Sequence, residues 1–253
     1  MGGASRSEKR RKQEESDRRL AAAGIQPPPK NNGRRSLTVV GGVIAVALLL
    51  GLTAWASGWI GGGRVEPTYA ATSSGGVITA GNGPVVIDVY EDYICPSCER
   101  FEERYGDEIT TALNEGKITV RFHSIAILDK MSDPVGYSTR AANAALCAVP
   151  AGIFPRFHHR LFDEQLAEGS AGLSDDQLIA FGTELGATGD FAGCVRSLAH
   201  EDAVVAETEK ALADPALRTK APNGQQSFGT PTVAVNGQKA NLNDTSWLSN
   251  AIG

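Results

Sequence analysis

Histidine and cysteine are scarce in this chain, four of each in 253 residues. A protein metal centre usually needs about four compact ligands, and so few candidates leave little to build one from. Cys147 and Cys194 stand alone, and none of His123, His158, His159 and His200 lies at a ligand spacing from the close pair Cys95 and Cys98. His158 and His159 are adjacent on an expected helix, where neighbours point in different directions. No metal site is expected, and ordinary packing or solvation is the expectation for the two histidines. A basic stripe is missing as well. Residues 1–36 hold ten of the 24 Lys/Arg and four of the 29 Asp/Glu, which leaves fourteen basic and twenty-five acidic side chains beyond them, a net of −11. Such a body repels phosphates, so nucleic acid is excluded as a partner. There is no internal repeat.

Ionisable side chains are absent altogether from Leu37 to Ile60, "LTVVGGVIAVALLLGLTAWASGWI". At 1.5 Å per residue such a run reaches about 36 Å, enough to cross a hydrocarbon core of about 30 Å. Trp55 and Trp59 fall near its far end, where indoles favour the headgroup region. The Lys/Arg excess precedes it, which predicts a cytoplasmic N-terminus, a single transmembrane anchor over 37–60 and an extracytoplasmic remainder. Ala54-Trp55-Ala56 has the form of a signal-peptide cleavage site, but the polar lead of 36 residues favours a retained anchor. The basic head, 1–36, reads as a solvated topogenic tail. The stretch 61–76, "GGGRVEPTYAATSSGG", reads as a flexible tether.

Strand and helix signals then alternate. Val77–Thr79 and "PVVIDVY" (84–90) read as strands, and a helix is expected from Cys95–Pro96, since proline suits the first helical position. That helix should stop near Gly116, before the strand "KITVRFHS" (117–124). From about 136 to 213 only helical patterns appear. Strand character returns at "PTVAV" (231–235), Asn236-Gly237 marks a hairpin turn, and "NDTSWLSNAI" closes the chain as a helix. The expected class is an α/β domain over 77–253 with a helical insertion.

The chemistry centres on "YICPSCERF", which places Cys95 and Cys98 at the mouth of a helix. There the Cys95 sulfur faces unpaired N–H groups and the positive end of the helix dipole, which favour a thiolate. Cys98, one turn further in, is the resolving partner. Stabilising the thiolate stabilises the reduced form and makes the disulfide more oxidising. Cys147 and Cys194 sit on apolar helical stripes, and an even pair outside the cytoplasm predicts a structural disulfide. Glu91 and Asp92 are expected in solvent, and nothing local ties His123 to the cysteines.

The run "VVIDVYEDYICPSC", followed far downstream by "FGTPTVAVNG", resembles the DsbA-like proteins of the thioredoxin fold, over about residues 77–252. With its anchor the chain resembles the membrane-tethered members of the actinobacterial cell envelope. The resemblance implies a thioredoxin sheet interrupted by helices, with Cys95 as nucleophile, Pro96 and Ser97 as the tuning pair, and Thr230-Pro231 as the cis-proline loop facing them. It implies exported proteins with reduced cysteines as substrates, a quinone-linked membrane reoxidant of the DsbB or VKOR type, and no bound cofactor. The family often carries a buried acid six positions before the nucleophile. Here Asp88, a candidate proton acceptor, is seven positions before Cys95, and one step along a strand changes face. Rival readings are a reductase or isomerase of the same fold, or a peptide-binding or chaperone module without redox turnover.

Overall fold

The computed structural model describes residues 63–220 and 223–253, with the single residue Arg11. The expected tail and the expected span, 37–60, lie outside these residues. Among the described residues no helix is long and apolar enough to cross a membrane.

The domain is a six-stranded sheet in the order β1-β2-β4-β3-β7-β8, with helices on its faces. Strands β3 (Val85–Glu91) and β4 (Ile118–Ser124) run parallel, joined by helix α1 (Pro96–Asn114). Strand β2 (Val77–Gly81) pairs antiparallel with β4, and β7 (Thr232–Val235) antiparallel with β3. One face of the central strands is apolar and fully covered: Ile87 and Val89 of β3 and Ile118 and Val120 of β4 share it and are essentially buried. Between β4 and the last strands come α2 (Tyr137–Ala148), α3 (Phe154–Asp163), α4 (Asp175–Glu184), α5 (Phe191–Arg196) and α6 (Glu201–Ala213). This is the helical insertion into a thioredoxin-type sheet that the sequence predicted. A short arm, β5 (Thr219–Lys220) with β6 (Gln226–Ser227), precedes β7, and β8 (Gln238–Lys239) forms the sheet edge before α7 (Trp247–Ile252). The β7–β8 turn places both Asn236 and Gly237 at positive φ, as a two-residue hairpin of this kind requires.

The tether reading of 61–76 needs correction. Strand β1 (Ala71–Ser74) pairs with β2 through a Gly75-Gly76 turn, so the "SSGG" taken for linker composition is a hairpin. Gly75 holds φ +58°, and a Cβ on Gly76 would meet the Ala203 carbonyl oxygen at 2.5 Å. Upstream, Arg64 donates to Asp163 and Glu102, and the Val65 N–H to Asp107. The Thr68 N–H reaches the Asn114 side chain. The segment from Arg64 onward is stapled to α1 and α3.

Candidate active site

Cys95 is the N-cap of α1, with extended backbone (φ −77°, ψ 116°), and Pro96 opens the helix. The turn before it is held from three sides. The Cys95 N–H donates to the Asp92 carbonyl (3.0 Å), and the Gln165 side chain donates to the carbonyls of Tyr93 (2.9 Å) and Cys95 (3.3 Å). The Ser97 hydroxyl accepts from Arg100 (2.8 Å). Both thiols are free and buried, Cys98 the deeper.

Thr230 and Pro231 come to the cysteines from β7's leading loop, joined by a cis peptide bond. The Cys95 Sγ lies 3.4 Å from the Thr230 carbonyl oxygen, 135 residues away in sequence. The Cys95 thiol is pulled down to about 5. A hydrogen bond from Cys98 is the largest cause; burial works against it, and Thr230 with the N–H groups of Cys98 and Ser97 adds to it. Burial raises the Cys98 thiol well above its ordinary value, and its interaction with Cys95 raises it further. One cysteine is thus set as thiolate and the other as thiol, the asymmetry that a mixed-disulfide reaction uses.

Asp88 does not reach this site. Alternation along β3 sends Ile87, Val89 and Glu91 to the α1 and α3 face, and Asp88 to the other, where it meets Arg121 (2.7 Å) and His123 (3.0 Å). His123 continues to Glu207 of α6 at 2.6 Å, so both residues belong to an ion-pair group away from the cysteines. Burial alone would raise the Asp88 carboxyl, but the bonds from His123 and Arg121 hold it below the usual range. An acid already paired in this way is no proton acceptor for Cys98.

Glu91 and Asp92, expected in solvent, are the acids beside the pair; they are 2% and 0% exposed. Asp92 accepts from Ser138 (2.7 Å) and from the N–H groups of Ile94 (3.1 Å) and Leu128 (2.9 Å). Burial dominates and pushes it up to about 7, with the Cys95 charge adding to the rise. Glu91 bonds His158 (2.8 Å) and the Tyr93 hydroxyl (3.3 Å), and the same hydroxyl meets Ser124 at 3.0 Å. The two histidines, for which packing or solvation was expected, are buried against carboxylates. Glu102 of α1 lies between them, 2.5 Å from His159 Nδ1 and 4.0 Å from His158 Nδ1. Adjacent residues do diverge, yet one carboxylate placed between them meets both. His158 is fully enclosed; burial opposes its charge, but Glu91 and Glu102 raise it overall.

Cys147 of α2 and Cys194 of α5 form a disulfide with a Cα–Cα separation of 5.9 Å, within the helical insertion.

This geometry has close relatives. Residues 73–252 match the family model described as Thioredoxin. The chain belongs to the thioredoxin family. The DsbA of Mycobacterium tuberculosis in its reduced form superposes with a TM-score of 0.55 at 25% identity, covering 73% of this chain and 97% of that one. The MdbA thiol-disulfide oxidoreductase of Corynebacterium diphtheriae gives 0.62 at 22% identity, covering 74% and 95%. The serine/threonine-protein kinase PknE of Mycobacterium tuberculosis is 32% identical over 176 residues, 67% of this chain and 30% of the kinase. The chain therefore spans about a third of the length of that curated relative. The chain thus has the thioredoxin family's fold in its DsbA-like form, with a free cysteine pair at the start of α1.

Proposed function

We propose that the protein is an oxidase, which donates a Cys95–Cys98 disulfide to exported proteins from the outer face of a membrane. The observation that carries the direction is geometric: Cys95 caps α1 with its sulfur 3.4 Å from the Thr230 carbonyl oxygen and Cys98 lies buried one turn in, an arrangement that holds the Cys95 thiol near 5 and the Cys98 thiol up. A depressed nucleophile stabilises the dithiol state, so the disulfide state gives up its oxidising equivalents readily.

A substrate thiolate attacks the Cys95 sulfur of the disulfide, and Cys98 leaves as a thiolate and takes up a proton. The substrate's second thiolate then attacks the substrate's first sulfur, the one bonded to Cys95 in the mixed disulfide. Cys95 leaves as a thiolate, the substrate gains a disulfide, and two electrons have passed to the enzyme. Cys95 is a good leaving group in that second step because its thiolate is stabilised. Cys98, buried beside Asp92 and Glu91, must be deprotonated when the disulfide is remade. Asp92, close to 7, is better suited to exchange that proton than Asp88. The Thr230 carbonyl offers the extended substrate a backbone partner beside the sulfur.

The apolar run 37–60 supports a membrane tether, and a tethered dithiol suits reoxidation by a quinone-linked membrane partner of the DsbB or VKOR type. The test is oxidative refolding of a reduced disulfide-containing protein by the pre-oxidised full-length chain. The wild type should transfer close to one disulfide per molecule, and Cys95→Ser none. Undiminished refolding yield with Cys95→Ser would instead support a binding or chaperone module.

A further inference from the structure

A cavity of about 590 Å³ opens beside the Thr230–Pro231 loop, between the β5–β6 arm, β8 and the residues after β8. Its size lies in the range of ligand-binding clefts. Phe228, Pro231 and Leu242 supply apolar wall, and Arg218, Lys220 and Lys239 bring three cations to it. No Asp or Glu is among its lining residues. None of the three cations has a carboxylate at ion-pair distance among the described residues: Lys239 donates to the Leu217 carbonyl and the Thr219 hydroxyl (both 2.6 Å), and Arg218 to the Leu212 carbonyl (3.0 Å). Residues beyond 36 carry a net charge of −11, so the wall of this cavity is opposite in sign to that part of the chain as a whole.

Its position says what it meets. Gly229 and Pro231 line the cavity, and Thr230 between them touches the Cys95 sulfur. A substrate strand laid along Thr230 therefore carries one of its flanks to the cavity. Side chains on that flank of the substrate's cysteine then face the cationic wall. No residue of α1 lines the cavity, so it is separate from the surface over the helix start.

We infer that this cavity selects the substrate: it receives an acidic segment on one side of the reacting cysteine, with Arg218 and Lys220 as the specificity-determining residues. The inference rests on the oxidase reading and names its preferred substrate class. Complementary charge of this kind raises encounter rate and fixes register more than it adds affinity.

The test uses the full-length protein in detergent, with Cys95 and Cys98 oxidised. Short two-cysteine peptides carry Asp/Glu, Lys or Ser on one flank of the first cysteine, and the rate of disulfide loss is followed by thiol trapping. The acidic peptide should react about five- to tenfold faster than the lysine peptide at low ionic strength, with the gap closing in high salt. In Arg218→Glu/Lys220→Glu the order of the acidic and lysine peptides should reverse; Lys220→Glu alone, at a side chain that makes no hydrogen bond among the described residues, should give part of the change. A cysteine-free acidic peptide should slow the serine peptide with the wild type and not with the double variant. Equal rates for the acidic and lysine peptides, or a preference that survives both variants, would overturn the assignment while leaving the oxidase reading intact. Failure of every peptide to reduce the disulfide, with the cysteine-free acidic peptide still binding the wild type alone, would overturn the oxidase reading and keep the cavity's.

Discussion

Two cysteines three positions apart are driven in opposite directions: the Cys98 hydrogen bond draws the Cys95 thiol down, and burial pushes the Cys98 thiol up. Alkylation of Cys95 should follow a midpoint near pH 5, with Cys98 unreactive in the folded protein across the neutral range. The sign of the linked stability follows. A thiol depressed in the folded state stabilises the fold above its unfolded value, near 8.5, and loses that contribution as pH falls through about 5. In denaturant titrations the reduced protein should therefore gain stability relative to the oxidised one steadily from about pH 5 to 8.5. A difference independent of pH would contradict the assignment of Cys95. Asp92 supports a second prediction. Asp92→Ala leaves the Ile94 and Leu128 N–H groups and the Ser138 hydroxyl without their acceptor, and should lower stability by about 2–4 kcal/mol in urea titrations. Asp92→Asn, which keeps an acceptor oxygen, should lose less. The sequence named Cys95, Cys98, Thr230 and Pro231, because helix-start chemistry and a loop motif are local. It misplaced Asp88, Glu91 and Asp92, whose surroundings are set by residues as distant as Ser138 and His158. Strand parity held a clue: Glu91 shares a face with the buried Val89, and Asp88 does not.

Elements were legible where periodicity and turn chemistry agreed. Helix α1, the insertion from α2 to α6 and the β7–β8 hairpin all lie where apolar spacing, proline and Asn-Gly put them. Strand β1 was hidden because glycine and serine read alike in linkers and in hairpins, and only pairing with β2 separates the two. Close approach of backbone decides another position. Gly83, in the bend from β2 to β3, donates to the Ile118 carbonyl, and a Cβ there would lie 2.2 Å from the Ile118 nitrogen. Gly83→Ala should displace the start of β4 and destabilise the domain by about 2–4 kcal/mol, measured by chemical denaturation. A loss under about 0.5 kcal/mol would mean that the bend yields freely.

At the scale of the molecule, the sheet brings one loop to the cysteines, and the helical insertion covers them from behind. The Cys147–Cys194 bridge closes 47 residues of that insertion. Its removal in Cys147→Ser/Cys194→Ser should lower stability by about 2–4 kcal/mol without abolishing thiol exchange at Cys95. What the whole chain does with its redox pair depends on one quantity. The most direct test is the reduction potential of Cys95–Cys98 in the full-length protein, read by alkylation after equilibration with glutathione buffers. Each unit by which the Cys95 thiol falls below that of thioredoxin, about 7, is worth up to about 30 mV. A Cys95 value near 5 then predicts a potential up to about 60 mV less negative than thioredoxin's roughly −270 mV, at about −210 mV. A potential near −270 mV would contradict disulfide donation and make the protein a reductase.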